Sequence, residues 1–402
     1  MRTFRARAFL LVSPVAAALL PLSAHAIVRC ALDGQPIDLN NGKSTEGKTG
    51  MIHCTNDDGS PQRDVELRAG VQMGTMRYFQ RGVLQKEFTT NARGNRDGVE
   101  RTYAATPGPK NPLLREETSR DGTTVGVVRT WAADGTLARL GWHLDDGSEV
   151  AVASFTAQGK LSDLRCYSQP VFGADFDDAS ACGFRKSPAT TELWTSKGVL
   201  AGRITFDRGE RRHVENLWDN GKPQQVIDLG TASGGESDFA EDGAKRKAVA
   251  WIVQPSGIAG KPGYRTVTLQ QDFHESGTLV RERRWTPNGH GADLALDETW
   301  YLNGQLKTKD EFLVQDGQRV KRATRYFDSG KVDATGVWLA KGEYDDHPIG
   351  VHQRFDDQGR LRGESSYDAR GRLTRERALD ESGAVVKDDQ VFEDGSRKAF
   401  AK

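Results

Sequence analysis

Little of this 402-residue chain is apolar, and its charge leans to neither sign. Apolar residues make up 36% and charged ones 28%, with 56 basic against 56 acidic groups. So low an apolar share excludes one large globular core. The charge balance removes the basic excess that a nucleic-acid partner requires. After residue 26 no apolar run is long enough for a membrane-spanning helix. Catalytic signatures are missing as well: there is no GxSxG elbow, no HExxH, no GxxxxGKS and no GxGxxG leading into a helix. Cysteine is scarce, four residues without a CxxC pair or matching histidine spacing, which excludes the usual zinc sites. Histidines 53, 143, 213, 274, 290, 347 and 352 read as polar strand or loop residues, since His347 and His352 stand five apart across a proline-containing turn. The acidic pairs Asp145-Asp146 and Asp356-Asp357 precede a turn glycine, where aspartate serves the backbone. The expectation is no enzyme, no cofactor and no metal.

Glycine, by contrast, is abundant, with 44 residues. In "RFDDQGRLRGESSYDARGRLTRERALDESGAVV", residues 354–386, one phrase recurs three times. Phe355, Tyr367 and Leu379 head the phrases, Gly359, Gly371 and Gly383 follow at intervals of 12, and Leu361, Leu373 and Val385 each come two residues later. Further copies are "FQRGVL" (79–84), "WAADGTL" (131–137), "FTAQGKL" (155–161), "WTSKGVL" (194–200), "FHESGTL" (273–279), "YLNGQL" (301–306) and "FDSGKV" (327–332). A polar residue before glycine favours a tight turn, and the glycine supplies positive φ. The phrase therefore predicts a β-hairpin, with the aromatic residue closing one strand and Leu or Val opening the next. A second glycine lies five residues before the aromatic in several units (Gly74, Gly98, Gly126, Gly350), where it lets the strand bend or approach a neighbour closely. The fold expected is all-β, an elongated antiparallel sheet or solenoid of consecutive β-hairpin repeats.

The strings "GNRDGVERTY" (94–103), "YLNGQLKTK" (301–309), "RYFDSGKV" (325–332) and "HPIGVHQRFDDQGRLRGE" (347–364) resemble the MORN-repeat variant of bacterial YwqK-like antitoxins. "YDARGRLTRE" (367–376) is similar to the YD repeat of Rhs-type shells, another run of hairpins. The resemblance covers most of residues 70–225 and 264–396. It implies repeat architecture and a binding role, and no residue of the motif carries a reaction.

Residues 1–26 carry Arg2, Arg5 and Arg7 ahead of an apolar run ending at Ala24-His25-Ala26, the pattern of a secretory signal peptide. Its removal leaves a net charge of about −3, and the expected location is periplasmic or secreted. Cys30, Cys54, Cys166 and Cys182 then read as two disulfides; three connectivities are open, and sequential pairing closes the two shortest loops. The organisation expected is a disulfide-pinned cap (27–69), a first hairpin array with a Cys-bracketed insertion (70–229), a flexible linker or loop (230–263) and a second array (264–402). A single continuous sheet with one loop is the alternative. A ladder of aromatics, Trp131, Trp194, Trp218, Trp285, Phe355 and Tyr367, is the candidate binding surface. Its other reading is core, each hairpin burying a ring against the next. The function expected is recognition without catalysis: binding of another protein, in its most concrete form a toxin. The alternative is a cell-envelope structural or glycan-binding module.

Overall fold

The computed structural model describes residues 28–105, 111–258, 263–340 and 346–400. The signal sequence expected over residues 1–26 lies outside them. The described residues are nearly all strand, in two long, open antiparallel sheets. The chain divides into two compact units with the boundary at Val125–Gly126.

The first unit carries β1 (Arg29–Leu32), β2 (Gln35–Pro36), the short helix α1 (Gly42–Thr45), β3 (Gly50–Thr55), β4 (Pro61–Arg68), β5 (Val71–Gln80), β6 (Val83–Thr90), β7 (Gly98–Tyr103) and β8 (Leu113–Arg120). Strand β1 pairs with both β2 and β3, and each later strand pairs with the next. Ile52, Cys54, Val65 and Leu67 are buried at its centre with Leu32, Ile37 and Met76. Cys30 and Cys54 face each other across β1 and β3 and form a disulfide.

The boundary falls inside β9 (Thr123–Trp131). The second unit continues with β10 (Leu137–His143), β11 (Glu149–Phe155), β12 (Leu161–Arg165), the helix α2 (Asp178–Ala181), β13 (Ala189–Trp194), β14 (Leu200–Asp207), β15 (Glu210–Leu217) and β16 (Pro223–Leu229). Then come β17 (Ser233–Phe239), β18 (Lys245–Gln254), β19 (Tyr264–Phe273), β20 (Leu279–Pro287), β21 (Ala292–Trp300), β22 (Leu306–Gln315), β23 (Gln318–Tyr326) and β24 (Val332–Ala340). The last are β25 (Asp346–Phe355), β26 (Leu361–Tyr367), β27 (Leu373–Leu379), β28 (Val385–Val391) and β29 (Arg397–Ala399). Strands β13–β29 form one sheet of seventeen in sequence order.

Two turn chemistries generate this succession. Asp33-Gly34, Arg81-Gly82, Asp121-Gly122, Arg208-Gly209 and Asp316-Gly317 have positive φ at both residues, the signature of two-residue type I′ hairpins. The recurring phrase instead makes a three-residue loop. In 356–360 the Gly359 N–H donates to the Asp356 carbonyl, the Asp356 N–H donates to the Arg360 carbonyl, and Gly359 has φ +84°. Phe355 then pairs with Leu361 while Arg354 pairs with Gly363, so one extra residue bulges on the return strand. The same step follows Tyr367–Leu373 and Leu379–Val385. Such bulges strengthen local twist.

The turns also explain the acidic pairs, with Asp356 the first residue of its turn and Asp146 the third of the turn that begins at Leu144. Asp356 Oδ1 accepts the N–H groups of Gln358 and Arg360 at 3.0 and 2.9 Å, and Asp146 accepts that of Ser148 at 2.8 Å. The Ser148 N–H holds the Asp146 carboxyl below its ordinary value of 3.8. The Arg372 N–H does so for Asp368, and the Ser382 hydroxyl with the Ala384 N–H for Asp380. A carboxyl whose native value is depressed adds stability above its unfolded value and loses it as pH falls through the native one. Melting temperature should therefore be flat above about pH 5 and fall steadily below about pH 4. A melting series across that range checks this; a curve with no acid limb contradicts it.

The largest core of the second unit lies where the hairpin succession is interrupted. Leu140, Ala153 and Leu164 from β10–β12 cluster with Ile204, Phe206 and Val214 from β14–β15, and Phe172 and Cys182 of the insertion complete the group. Cys166 and Cys182 are bonded. The buried Asp178 carboxylate accepts the Val171 and Phe172 N–H groups at 2.6 and 3.2 Å, and Arg129 holds Asp175 at 2.7 Å. The insertion is thus a packed joint.

Over the described residues of 230–263 most of the expected linker or loop is strand, as the alternative of one continuous sheet has it, and residues 259–262 lie outside the described residues. Residues 233–239 and 245–254 are β17 and β18, paired to each other and to β16 and β19, with register shifts at Asp238–Phe239 and Ala250–Trp251. The glycines that suggest a loop make room for a ring: a Cβ on Gly234 would lie 2.7 Å from the indole of Trp251, which is buried. The second glycine of the unit bends the strand as expected, since Gly74, Gly98, Gly126 and Gly350 all have positive φ.

Two disulfides, and no helix among the described residues long and apolar enough to cross a membrane, are compatible with an extracellular or periplasmic protein.

Candidate functional site

The six aromatics do not form one ladder. Trp131, Trp194, Phe355 and Tyr367 close their strands opposite Leu137, Leu200, Leu361 and Leu373. Trp218 is instead the first residue of its turn, where its N–H donates to the Lys222 carbonyl and its indole N–H to the Phe239 carbonyl at 3.2 Å. Trp285 sits inside β20 opposite Leu294, because its loop begins later, at Asn288. The spacing to glycine shows the first difference, three residues from Trp218 to Gly221 against four from Trp131 to Gly135. All six rings are half-buried. The ammonium of Lys160 lies 3.6 Å above the Trp194 ring and the Arg283 guanidinium 5.6 Å from the Trp285 ring.

Of the six, only Tyr367 enters the most developed concavity of the described residues, a trough of about 630 Å³ on one face of β22–β28. Register builds it. Arg325, Ala334, Arg354, Gly363, Ala378 and Lys387 are successive cross-strand partners and share one row. The neighbouring row holds Asp310, Ala323 and Gly336 on β22–β24, and His352, Ser365 and Glu376 on β25–β27. Alanine, glycine and serine thus floor the trough, with longer polar side chains along it. Phe355, adjacent to Arg354 in an extended strand, points to the opposite face.

A bulge in β25 gives the trough its wall. Thr335 pairs with Gln353 but Val337 pairs with Ile349, so the single residue Gly336 faces Gly350, Val351 and His352. Bulges of this kind re-aim side chains. His352 turns into the trough, its ring 4.4 Å from Trp338 and 4.8 Å from Tyr367, tilted by 58° and 54°. Its Nε2 lies 2.8 Å from the Val337 carbonyl oxygen and 3.3 Å from the Val337 nitrogen. Gly336 makes this possible, since a Cβ there would lie 2.6 Å from the Trp338 ring and 2.8 Å from His352 Nδ1. Gly336→Ala should therefore push both rings aside, costing about 1–3 kcal/mol by overpacking and changing the tryptophan emission; an unchanged melting curve and spectrum contradict this.

The charges of the trough are unequally satisfied. Lys321 pairs with Asp346 and stands 5.4 Å over the Trp338 ring. Lys387 pairs with Glu376 at 2.5 Å. Burial pushes the Asp310 carboxyl up, with Lys321 opposing. Arg325 and Arg354 are exposed and make no hydrogen bond or ion pair with a described residue. Nearby, Arg375 holds Asp388 through two contacts of 2.7 and 2.8 Å, and Arg377 holds Glu364 at 3.3 Å, while Arg322 of β23 is exposed and makes no hydrogen bond or ion pair with a described residue either. Sequence reasoning missed Trp338, His352, Arg325 and Arg354. The one signal available was the run "HPIGVH", too irregular to be another copy of the phrase.

No family model matches the chain, and no curated protein does. Among solved structures it aligns with TcdB2-TccC3 over 88% of its own length and 20% of that chain, at 12% identity and a TM-score of 0.16. The Tc holotoxin pore of Photorhabdus luminescens aligns over 91% and 23%, at 9% identity and 0.12. A porin-like protein from Bacteroides uniformis aligns over 69% and 95%, at 11% identity and 0.14. The chain spans about a fifth of the length of the first two, and likenesses this remote carry no functional argument.

Proposed function

We propose that this is an exported recognition protein without catalytic activity, which binds another protein through the trough on β22–β28. The observation that carries the reading is the concave face itself, floored by small residues, walled by Trp338, His352 and Tyr367, and supplied with two exposed arginines that make no hydrogen bond or ion pair with a described residue. Surfaces of this kind on repeat arrays serve binding. The resemblance to the MORN-repeat variant of YwqK-like antitoxins makes an immunity role against an envelope-acting toxin the most concrete version.

The reading is tested by a photo-crosslinking residue introduced at Ser365, on the floor, and separately at Thr324, on the opposite face. In the organism's own envelope extract, Ser365 should give one discrete protein adduct and Thr324 none. Equal labelling from both positions contradicts the proposal.

The second reading, an envelope glycan-binding module, draws on the half-buried rings at the pre-turn position. Trp338, His352 and Tyr367 support it poorly, because they pack against one another and Lys321 covers the Trp338 face, leaving little flat ring for a sugar.

A further inference from the structure

We infer that the trough takes an extended acidic polypeptide segment lying across the strands, its carboxylates three residues apart. This rests on the reading of the trough as a protein-binding surface.

The first ground is charge. Arg325 and Arg354 flank Ala334 in one row, exposed and without a hydrogen bond or ion pair to a described residue, with Asp310 the acidic group that feels the Arg325 charge. A guanidinium is a planar fork of donors matched to a carboxylate. Two such forks on one concave face complement an anionic ligand.

Spacing is the second ground. Arg325 and Arg354 stand on β23 and β25, two strands apart, and neighbouring strands are about 4.8 Å apart, so the two row positions lie about 10 Å from each other. A polyproline II segment rises about 3.1 Å per residue with three residues per turn, so every third side chain falls on the same side after about 9 Å. Two carboxylates at that interval meet both arginines.

The floor supplies the third. Ala334, Gly363 and Ser365 present almost no side chain, so a peptide backbone can lie close to the sheet. The ring wall borders one side, with its faces already used among His352, Trp338 and Tyr367. That favours a peptide over a stacked glycan.

The experiment uses residues 27–402 and fluorescein-labelled peptides of four Glu-Pro-Pro repeats, with Gln-Pro-Pro and Lys-Pro-Pro repeats as controls, read by anisotropy. Expected is binding of the glutamate peptide at least tenfold tighter than either control, weakening as salt rises. Each of Arg325→Gln and Arg354→Gln should weaken it at least threefold, and so should Ala334→Trp, which fills the trough while keeping both arginines; circular dichroism verifies that each variant folds. Equal binding of all three peptides, lost in Ala334→Trp, overturns the acidic preference while keeping the trough as a protein site. Binding of no peptide, or unchanged by Ala334→Trp, overturns the inference and removes support from the site. Equal displacement by an oligogalacturonate also overturns it, in favour of an anionic glycan.

Discussion

Phe206→Ala should be the most damaging single truncation in the second unit, lowering local stability by about 3–5 kcal/mol. Phe206 is fully buried in the core where β10–β12 and β14–β15 meet the insertion. Removing its ring leaves a cavity lined by side chains of three segments that the succession of hairpins does not otherwise join. Phe273, half-buried in β19 within a single layer, is the control, with an expected cost below about 1.5 kcal/mol. Repeat arrays need not unfold in one step. Amide exchange resolved by segment is therefore the proper readout, and protection should be lost across 137–217 in the first variant. Equal costs at the two positions would contradict a core concentrated at the joint.

Loss of the Cys166–Cys182 disulfide should rank second, at about 2–4 kcal/mol. The bond closes a 16-residue separation, and the loop it closes carries Phe172 and Asp178 into the core. Without the bond, the loop is held by Arg129–Asp175, the two N–H donors on Asp178, the Thr191 hydroxyl on the Ala181 carbonyl and the Gly209 N–H on the Cys182 carbonyl. The double variant Cys166→Ala, Cys182→Ala should keep exchange protection in β22–β28 while losing it in 166–188. Uniform loss along the unit would contradict the modular view of the array.

Much of the array was legible from residue spacing. The interval from Phe355 to Gly359 to Leu361 predicts a turn with a flanking cross-strand pair, and that pair is what forms. It is legible because turn geometry is local, set by the φ of one glycine and the acceptor of one aspartate. Sequential cysteine pairing also followed from loop length. The segment 230–263 misled because Gly234 and Gly235 read as loop, whereas Gly234 clears space for Trp251 on the neighbouring strand. The trough was illegible for a related reason. Its floor residues are ordinary small positions on separate hairpins, and only the register of six strand pairings brings them into line. Its wall depends on a bulge in which Gly336 opposes three residues, which no periodicity announces.

The central claim is that the face of β22–β28 bearing Ala334 and Ser365 is where this protein meets its partner. Its most direct test is paired affinity capture from the organism's envelope extract on immobilised wild-type protein and on Ala334→Trp. The expected result is one stoichiometric protein retained by the wild type and absent from the variant. The same protein on both columns, or cell-wall glycan as the only material the variant loses, would contradict the claim.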